Sequence, residues 1–322
     1  MCVHSRKPED VVHASNVQRD VKGCFLIKKP PGDYLHKQKF DASFADYDTA
    51  VWYSVKRDKL SDELLSCFFQ SSYTLETDAF LLQSRQISDS VLLQFYYSLA
   101  STFLSYFLTK TTSNGLLNRG SMFLFSQGEL GAFLDVREDG RDGRVMLDLG
   151  AGDGAVTEVF KPFFASIYAT EASSTMTWRL KEKGFTLLPP DTWSQLIPHN
   201  CSLISALNVV DRVAGPVGFL SELHAATGRL GARLLLAVVF PWSQFCEFPD
   251  TRGAPPEQEL SMQGHSVEEQ LSYFVRHLLQ PAGFRVLRWT KLPYLCEGDA
   301  YQTFYHLTDV VFLLEPVELQ QT

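Results

Sequence analysis

The sequence predicts an α/β fold: a mostly parallel sheet of seven strands, preceded by a helical N-terminal extension. Three observations carry this. From residue 145 onward, apolar runs of strand length alternate with segments of helical period, the order that builds a parallel sheet with helices on its faces. The first of these runs, Val145 to Leu149, passes straight into Gly150-Ala151-Gly152-Asp153-Gly154, a loop poor in side chains. Between Lys59 and Thr111 no proline interrupts a pattern in which Leu60, Leu64, Leu65 and Phe68 recur at helical spacing.

The chain has 322 residues, room for one large or two modest domains. Hydrophobic residues at 45% and charged residues at 20% are the proportions of a globular protein. The net charge of −8, from 29 basic and 37 acidic residues, lacks the basic footprint of a nucleic-acid-binding protein, so no nucleic-acid partner is expected. Six cysteines, at 2, 24, 67, 201, 246 and 296, show no Cys-x-x-Cys spacing and no accompanying histidine cluster. Reduced thiols and no metal site are expected. The first residues carry charges and no apolar run of the signal-peptide kind, which points to a cytoplasmic location. Residues 91–108 are uncharged, but Gln94, Ser98, Ser101, Thr102 and Ser105 interrupt them. They read as a buried or half-buried helix, not a membrane span.

Residues 1–45 are polar, broken by Lys28-Lys29-Pro30-Pro31-Gly32, and read as a disordered arm. Residues 46–135 form the helical extension, with three helices between 59 and 111. Thr112-Ser113-Asn114-Gly115 reads as a turn ending that run, and a short helix follows near 127–133. Residues 136–318 form the sheet domain. Strands are expected near 145–149, 167–171, 185–188, 203–207, 233–239, 284–291 and 309–315. Helices are expected near 155–163, 173–183, 216–228 and 266–280. Pro281-Ala282-Gly283-Phe284 marks a helix stop and a strand start. The last two strands, joined by 292–308 without a helical pattern, read as an antiparallel pair at the C-terminal edge. Residues 241–265 are a long insertion of the kind that forms lids or binding loops. A monomer is expected.

The glycine loop carries the chemistry. Its Gly-x-Gly-x-Gly form lacks the later third glycine of a dinucleotide site, and Asp148 just before it would repel a phosphate. An acid at that place suits an ammonium. S-adenosylmethionine carries an α-ammonium, a sulfonium and ribose hydroxyls. Asp148 could act on the ammonium and on the loop amides. Glu171, at the end of the next apolar run, could take both ribose hydroxyls. The pattern favours a class I, Rossmann-like methyltransferase with S-adenosylmethionine as cofactor. Two readings stay beside it: a dinucleotide enzyme, and a loop-capping Asp148 with a solvated Glu171.

Ligands in open α/β sheets sit at the carboxyl ends of the strands. The fourth strand runs into Asn208-Val209-Val210-Asp211-Arg212, where a methyl acceptor would meet the cofactor. Asp211 could accept the N–H of an imidazole and fix its tautomer. It could equally form a surface ion pair with Arg212 or cap a helix. Leu292-Pro293-Tyr294-Leu295-Cys296-Glu297-Gly298-Asp299 reads as a loop that reaches over the site, or as a plain strand connection.

Together these stretches resemble the DREV family, also called the methyltransferase-like protein 9 family. The resemblance covers roughly 50–317 and rests on Asn114 to Leu117, Arg119 to Phe123, Leu147 to Gly154, Tyr168 to Glu171, Leu207-Asn208 with Asp211-Arg212, and Leu292 to Asp299. It implies a protein-histidine methyltransferase that modifies the pros nitrogen (Nδ1) in His-x-His motifs with small x, giving 1-methylhistidine. By the same resemblance, Asp148, Gly150, Gly152, Glu171, Asn208 and Tyr294 bind the cofactor. Asp211 and Asn208 are catalytic, with Asp211 orienting the acceptor ring. Arg119, Ser121, Asp211 and Tyr294 line the substrate pocket. The partners it implies are proteins bearing His-x-His. Vertebrate members begin with a hydrophobic segment associated with the endoplasmic reticulum, so by resemblance the endoplasmic reticulum or the mitochondrion stands beside the cytoplasm. This chain begins Met1-Cys2-Val3-His4-Ser5 instead. A small-molecule N-methyltransferase and a non-catalytic binding protein are the alternatives.

Overall fold

The computed structural model describes residues 34–104, 110–137, 143–244 and 258–318. In chain order the elements are α1 (Tyr34–Ala45), α2 (Asp62–Ser66), α3 (Leu75–Asp89), α4 (Val91–Leu104), α5 (Lys110–Leu117), β1 (Met122–Phe123), α6 (Gln127–Leu134), β2 (Val145–Leu149), α7 (Ala155–Glu158), β3 (Ser166–Thr170), α8 (Ser174–Glu182), β4 (Thr186–Leu187), α9 (Trp193–Leu196), β5 (Cys201–Leu207), α10 (Pro216–Leu230), β6 (Arg233–Phe240), α11 (Val267–Phe274), β7 (Phe284–Glu297) and β8 (Phe304–Pro316).

One sheet runs β1-β7-β8-β6-β5-β2-β3-β4. Strands β2 to β6 pair in parallel, β8 is antiparallel to both β6 and β7, and β1 is antiparallel to β7. Without β1, this is the class I methyltransferase arrangement. The seven expected strands are present, and β1 makes the sheet eight-stranded. It escapes a periodicity reading because it is two residues long. The chain moves outward from β2 to β3 and β4, then returns to β5 on the other side of β2. That reversal is a topological switch point, the crevice where open α/β sheets bind ligands.

Strands β2, β5 and β6 are buried along most of their length on both faces, as parallel strands sandwiched between helices are. The two faces bury separate cores. One gathers Phe125, Phe160, Phe163 and Phe304, the other Phe240, Phe274, Trp289 and Phe312. Helix α10 starts with Pro216 at its first position and ends at Gly231 in the left-handed region. Helix α11 opens on a reciprocal Ser266–Glu269 capping box.

Four expectations differ from the structure. The polar arm ends in a helix, α1, whose Phe40 and Phe44 pack edge-on to Phe304; residues 1–33 lie outside the described residues. Asn114-Gly115 is not a turn but the interior of α5. A Cβ on Gly115 would lie 3.0 Å from Thr175 Cγ2, so the glycine lets α5 approach α8 closely. The helix ends instead at Asn118 (φ 51°), where Arg119 N–H donates to Asn114 O at 3.1 Å in a Schellman closure. Residues 292–297 are not a loop: β7 continues through them, and only 298–303 connect it to β8. Helix α4 buries only Tyr97 fully and exposes Leu92, Phe95, Leu99 and Phe103. Among the described residues no helix is long and apolar enough to cross a membrane. Most of the 241–265 insertion, residues 245–257, lies outside the described residues.

The N-terminal region is tied to β7 and to the β7–β8 connection. Phe69 N–H donates to Trp289 O (2.8 Å) and Trp289 N–H to Cys67 O (3.0 Å). Ser84 Oγ donates to Thr303 O at 2.6 Å and accepts Gly298 N–H at 2.8 Å, so α3 grips the β7–β8 connection.

Candidate functional site

The site is built at the carboxyl ends of β2, β3 and β5. Leaving β2, the chain turns through Gly150, Gly152 and Gly154, with φ of 69°, 58° and 78°. Only glycine adopts these angles at little cost. Two of the glycines are also held by packing. A Cβ on Gly150 would lie 2.9 Å from Val209 Cγ2, and one on Gly154 would lie 2.8 Å from Leu180 Cδ2. A Cβ on Gly152 would meet nothing within 4 Å, so the loop is open there.

The loop amides are tied to the end of β3. Gly150 N–H donates to Thr170 Oγ1 (3.2 Å), Ala151 N–H to Thr170 O (3.0 Å) and Gly152 N–H to Glu171 Oε2 (3.0 Å). Glu171 Oε1 accepts Ser173 N–H at 2.8 Å. Both oxygens thus accept backbone N–H groups at the mouth of the loop.

Asp148 does not bond the loop amides, one part of its expected role. It is 2% exposed, and both oxygens accept hydroxyls at 2.6 Å: Oδ2 from Thr157 and Oδ1 from Ser205, its register partner on β5. The amides expected to bond it go to Thr170 and Glu171 instead. Asp148 therefore pins the floor beneath the loop, joining β2, β5 and α7. Burial pushes its carboxyl up to about 6, against the pull of the two hydroxyls.

Across the switch crevice, Asn208 leaves β5 at φ 58° with its N–H on Ala237 O (3.0 Å). Its side chain is buried, and Nδ2 donates to Asp309 Oδ2 at 2.8 Å. Asp211 is 6% exposed, not a surface residue, and Gly215 is the residue that precedes α10. Asp309, fully buried on β8, was not among the expected site residues. Burial pushes its carboxyl up to about 8, the Asn208 bond opposes this, and the Asp211 charge adds to it.

The segment 119–123 and β7 meet directly. Met122 pairs with Cys296 and Phe123 with Leu295, while Glu297 N–H donates to Ser121 O at 2.9 Å. The Tyr294 hydroxyl donates to Met122 Sδ. Tyr294 is buried, which raises its phenol, and it lies within electrostatic reach of Arg212, Asp309 and Asp153. Glu297 is raised by burial and drawn back by the N–H groups of Gly120 and Ser121. The Arg119 guanidinium lies 5.2 Å from the Tyr97 ring centre. The expected residues thus form two groups: Asp148, Gly150, Gly152 and Glu171 at the loop, and Arg119, Ser121 and Tyr294 along β7. Asn208 and Asp211 stand at the end of β5, electrostatically coupled to both Asp309 and, through it, Tyr294.

The family model described as DREV methyltransferase matches residues 52–316. The chain belongs to the DREV methyltransferase family. Solved structures similar to this DREV methyltransferase include magnesium protoporphyrin IX methyltransferase (ChlM) from Synechocystis with bound SAM. That protein is 13% identical, covering 76% of this chain and 100% of the other, with a TM-score of 0.37. Another is a SAM-dependent methyltransferase from Leishmania major, 14% identical over 59% of this chain and 71% of the other, with a TM-score of 0.38. As a DREV methyltransferase the chain uses S-adenosylmethionine, and its site fits that cofactor. The loop is open at Gly152, and the carboxylate of Glu171 lies against it.

Three further groups shape the site without a sequence signal of their own: Thr157, Ser205 and Thr170. Each is one small hydroxyl residue in an ordinary helix or strand context. Asp309 had a signal, an acid opening the apolar run Val310 to Leu314.

Proposed function

We propose that this DREV methyltransferase methylates the pros nitrogen of histidine in His-x-His motifs of protein substrates, where x is small. The observation that carries the reading is the burial of the Asp211 carboxylate, three residues after Asn208 in the segment that follows β5. The family resemblance of the Arg119–Phe123 and Leu292–Asp299 stretches supports it, and the two stretches are paired strands of one wall.

S-adenosylmethionine supplies an electrophilic methyl on its sulfonium. The protein has to present a neutral imidazole, pKa about 6.5, with one nitrogen lone pair free. Asp211 would accept the N–H of the other nitrogen, leaving Nδ1 as the nucleophile. Its charge would also stabilise the cationic ring that forms, before that N–H proton is lost. Glu171 would hold the ribose hydroxyls and Gly152 would let the cofactor approach the backbone. Arg119, Ser121 and Tyr294 would line the side on which the peptide lies.

The test is incubation with labelled S-adenosylmethionine and His-Ala-His, Ala-Ala-His or His-Ala-Ala peptides, with mass spectrometry of the modified nitrogen. Label on Nδ1 of His-Ala-His, and not of the single-histidine peptides, is the expected result. Preferential labelling of a free imidazole dipeptide would assign a small-molecule N-methyltransferase instead.

A further inference from the structure

We infer that Asp309 is a positioning residue of the transfer site: its carboxyl holds the Asn208 amide by Nδ2 and reserves Asn208 Oδ1 for a main-chain N–H of the peptide that carries the acceptor histidine. The inference rests on the reading of Asn208 and Asp211 as the acceptor site.

The geometry is specific. Asn208 has a left-handed backbone, and its N–H is fixed on β6, so its Cα–Cβ direction is set. One end of its amide is taken by Asp309 at 2.8 Å. The other end, Oδ1, is buried and has no hydrogen-bond partner among the described residues, and the same holds for Asp309 Oδ1. Buried polar atoms are nearly always bonded, so unsatisfied ones call for an explanation such as an absent ligand. Here the two belong to hydrogen-bonded partners, Asn208 at the carboxyl end of β5, where an α/β sheet binds its ligand, and Asp309 on β8.

Asp309 is otherwise a costly residue. It sits between β6 and β7, opposite Val239 and Leu292, in a wall of apolar side chains. An apolar residue would pack there without the desolvation penalty. The groups facing it are the Asn208 amide, the charges of Asp211 and Arg212 on the segment after β5, Tyr294 on β7 and the N–H of Val310. With the carboxyl raised by burial, Asp309 titrates within reach of working pH, and its proton alters the bond that holds Asn208.

The test uses Asp309→Ala and Asp309→Asn in the full chain. Asp309→Ala should lower kcat on a His-Ala-His peptide by ~100-fold, the size of effect that a misplacement of about 1 Å produces. S-adenosylhomocysteine affinity by calorimetry should stay near that of the parent. Asp309→Asn, which keeps an acceptor for Nδ2, should restore most of the turnover. Asparagine-selective 15N labelling gives a readout that needs no acceptor. The Asn208 side-chain resonances should shift with pH in the parent and stay fixed in Asp309→Asn. Parental kcat in Asp309→Ala, an equal loss of cofactor affinity, or pH-independent Asn208 resonances in the parent would each overturn the inference. If the parent fails to methylate the peptide, the acceptor reading falls, and the resonances still decide whether Asp309 governs Asn208.

Discussion

Glu171 accepts the backbone N–H of Gly152 at 3.0 Å, so the acid proposed to hold the cofactor ribose also props the loop beside it. Glu171→Ala removes both functions. A hydrogen bond to a charged group is worth ~1.5–3 kcal/mol, so S-adenosylhomocysteine should bind about 10- to 100-fold more weakly. Isothermal titration calorimetry measures this directly. Unchanged affinity would sink the ribose assignment.

Asp211→Asn preserves shape and removes the charge. Cofactor affinity should be retained while kcat on the His-x-His peptide falls by ~100-fold or more, the usual scale of positioned acid–base and tautomer control. The two constants are read from one preparation by calorimetry and by peptide methylation. A fully active variant takes Asp211 out of the chemistry.

The glycines of the loop separate backbone strain from crowding. Gly150→Ala adds a Cβ 2.9 Å from Val209 at φ 69°, whereas Gly152→Ala adds one into open space at φ 58°. Both pay the left-handed penalty of ~1–2 kcal/mol, and only Gly150→Ala forces Val209 to move. Urea unfolding should therefore show the larger loss of stability in Gly150→Ala. Gly152→Ala should instead show its main defect in cofactor affinity. Equal losses in both assays would mean that the open face at Gly152 has no ligand role.

The pH dependence of stability follows from three buried groups. Asp148 and Asp309, at about 6 and about 8, keep a proton in the folded state that an unfolded carboxyl releases near pH ~3.9. Their contribution is fully present below that value and is lost as pH rises through each folded pKa. His306, lowered to about 4 by burial, acts in the opposite sense: its contribution is present above the unfolded value of ~6.5 and is lost as pH falls. Between ~6.5 and 8, of these three, Asp309 alone still differs between the states. Stability should fall there by up to ~1.4 kcal/mol per pH unit. Urea titrations at the two ends of that window, for the parent and for Asp309→Asn, should show the fall only in the parent.

Much of the site was legible because its parts are local. Val145 to Gly154 is one strand and one turn, and Glu171 ends the next strand, so apolar run length and glycine spacing reveal both. What escaped depends on contacts between distant segments. Asp309 has its role through Asn208, 101 residues away in the chain. Asp148 is expected to act on a ligand ammonium and on the loop amides, yet the hydroxyls of Ser205, on the neighbouring strand, and of Thr157 meet its oxygens while the amides bond elsewhere. The crowding of Tyr294, Glu297, Gly298 and Asp299 makes 292–299 read as a loop, yet β7 runs on through Glu297, and proline, which cannot donate to a ladder, sits within it. The strand tolerates Pro293 because β1 pairs only with Leu295 and Cys296, leaving the outer side open at that point. Asn114-Gly115 reads locally as a turn, and only the approach of α5 to α8 explains a glycine inside a helix.

Strand β7, fourteen residues long, would be the last of its sheet were it not for two short pieces of the N-terminal region. Phe68 bridges Trp289, and Met122-Phe123 pair with Leu295 and Cys296. An exposed strand of that length is a template for another chain. These two pieces therefore guard the strand against self-association. A shortened protein beginning at the first parallel strand would leave that edge bare and should self-associate, which light scattering would show.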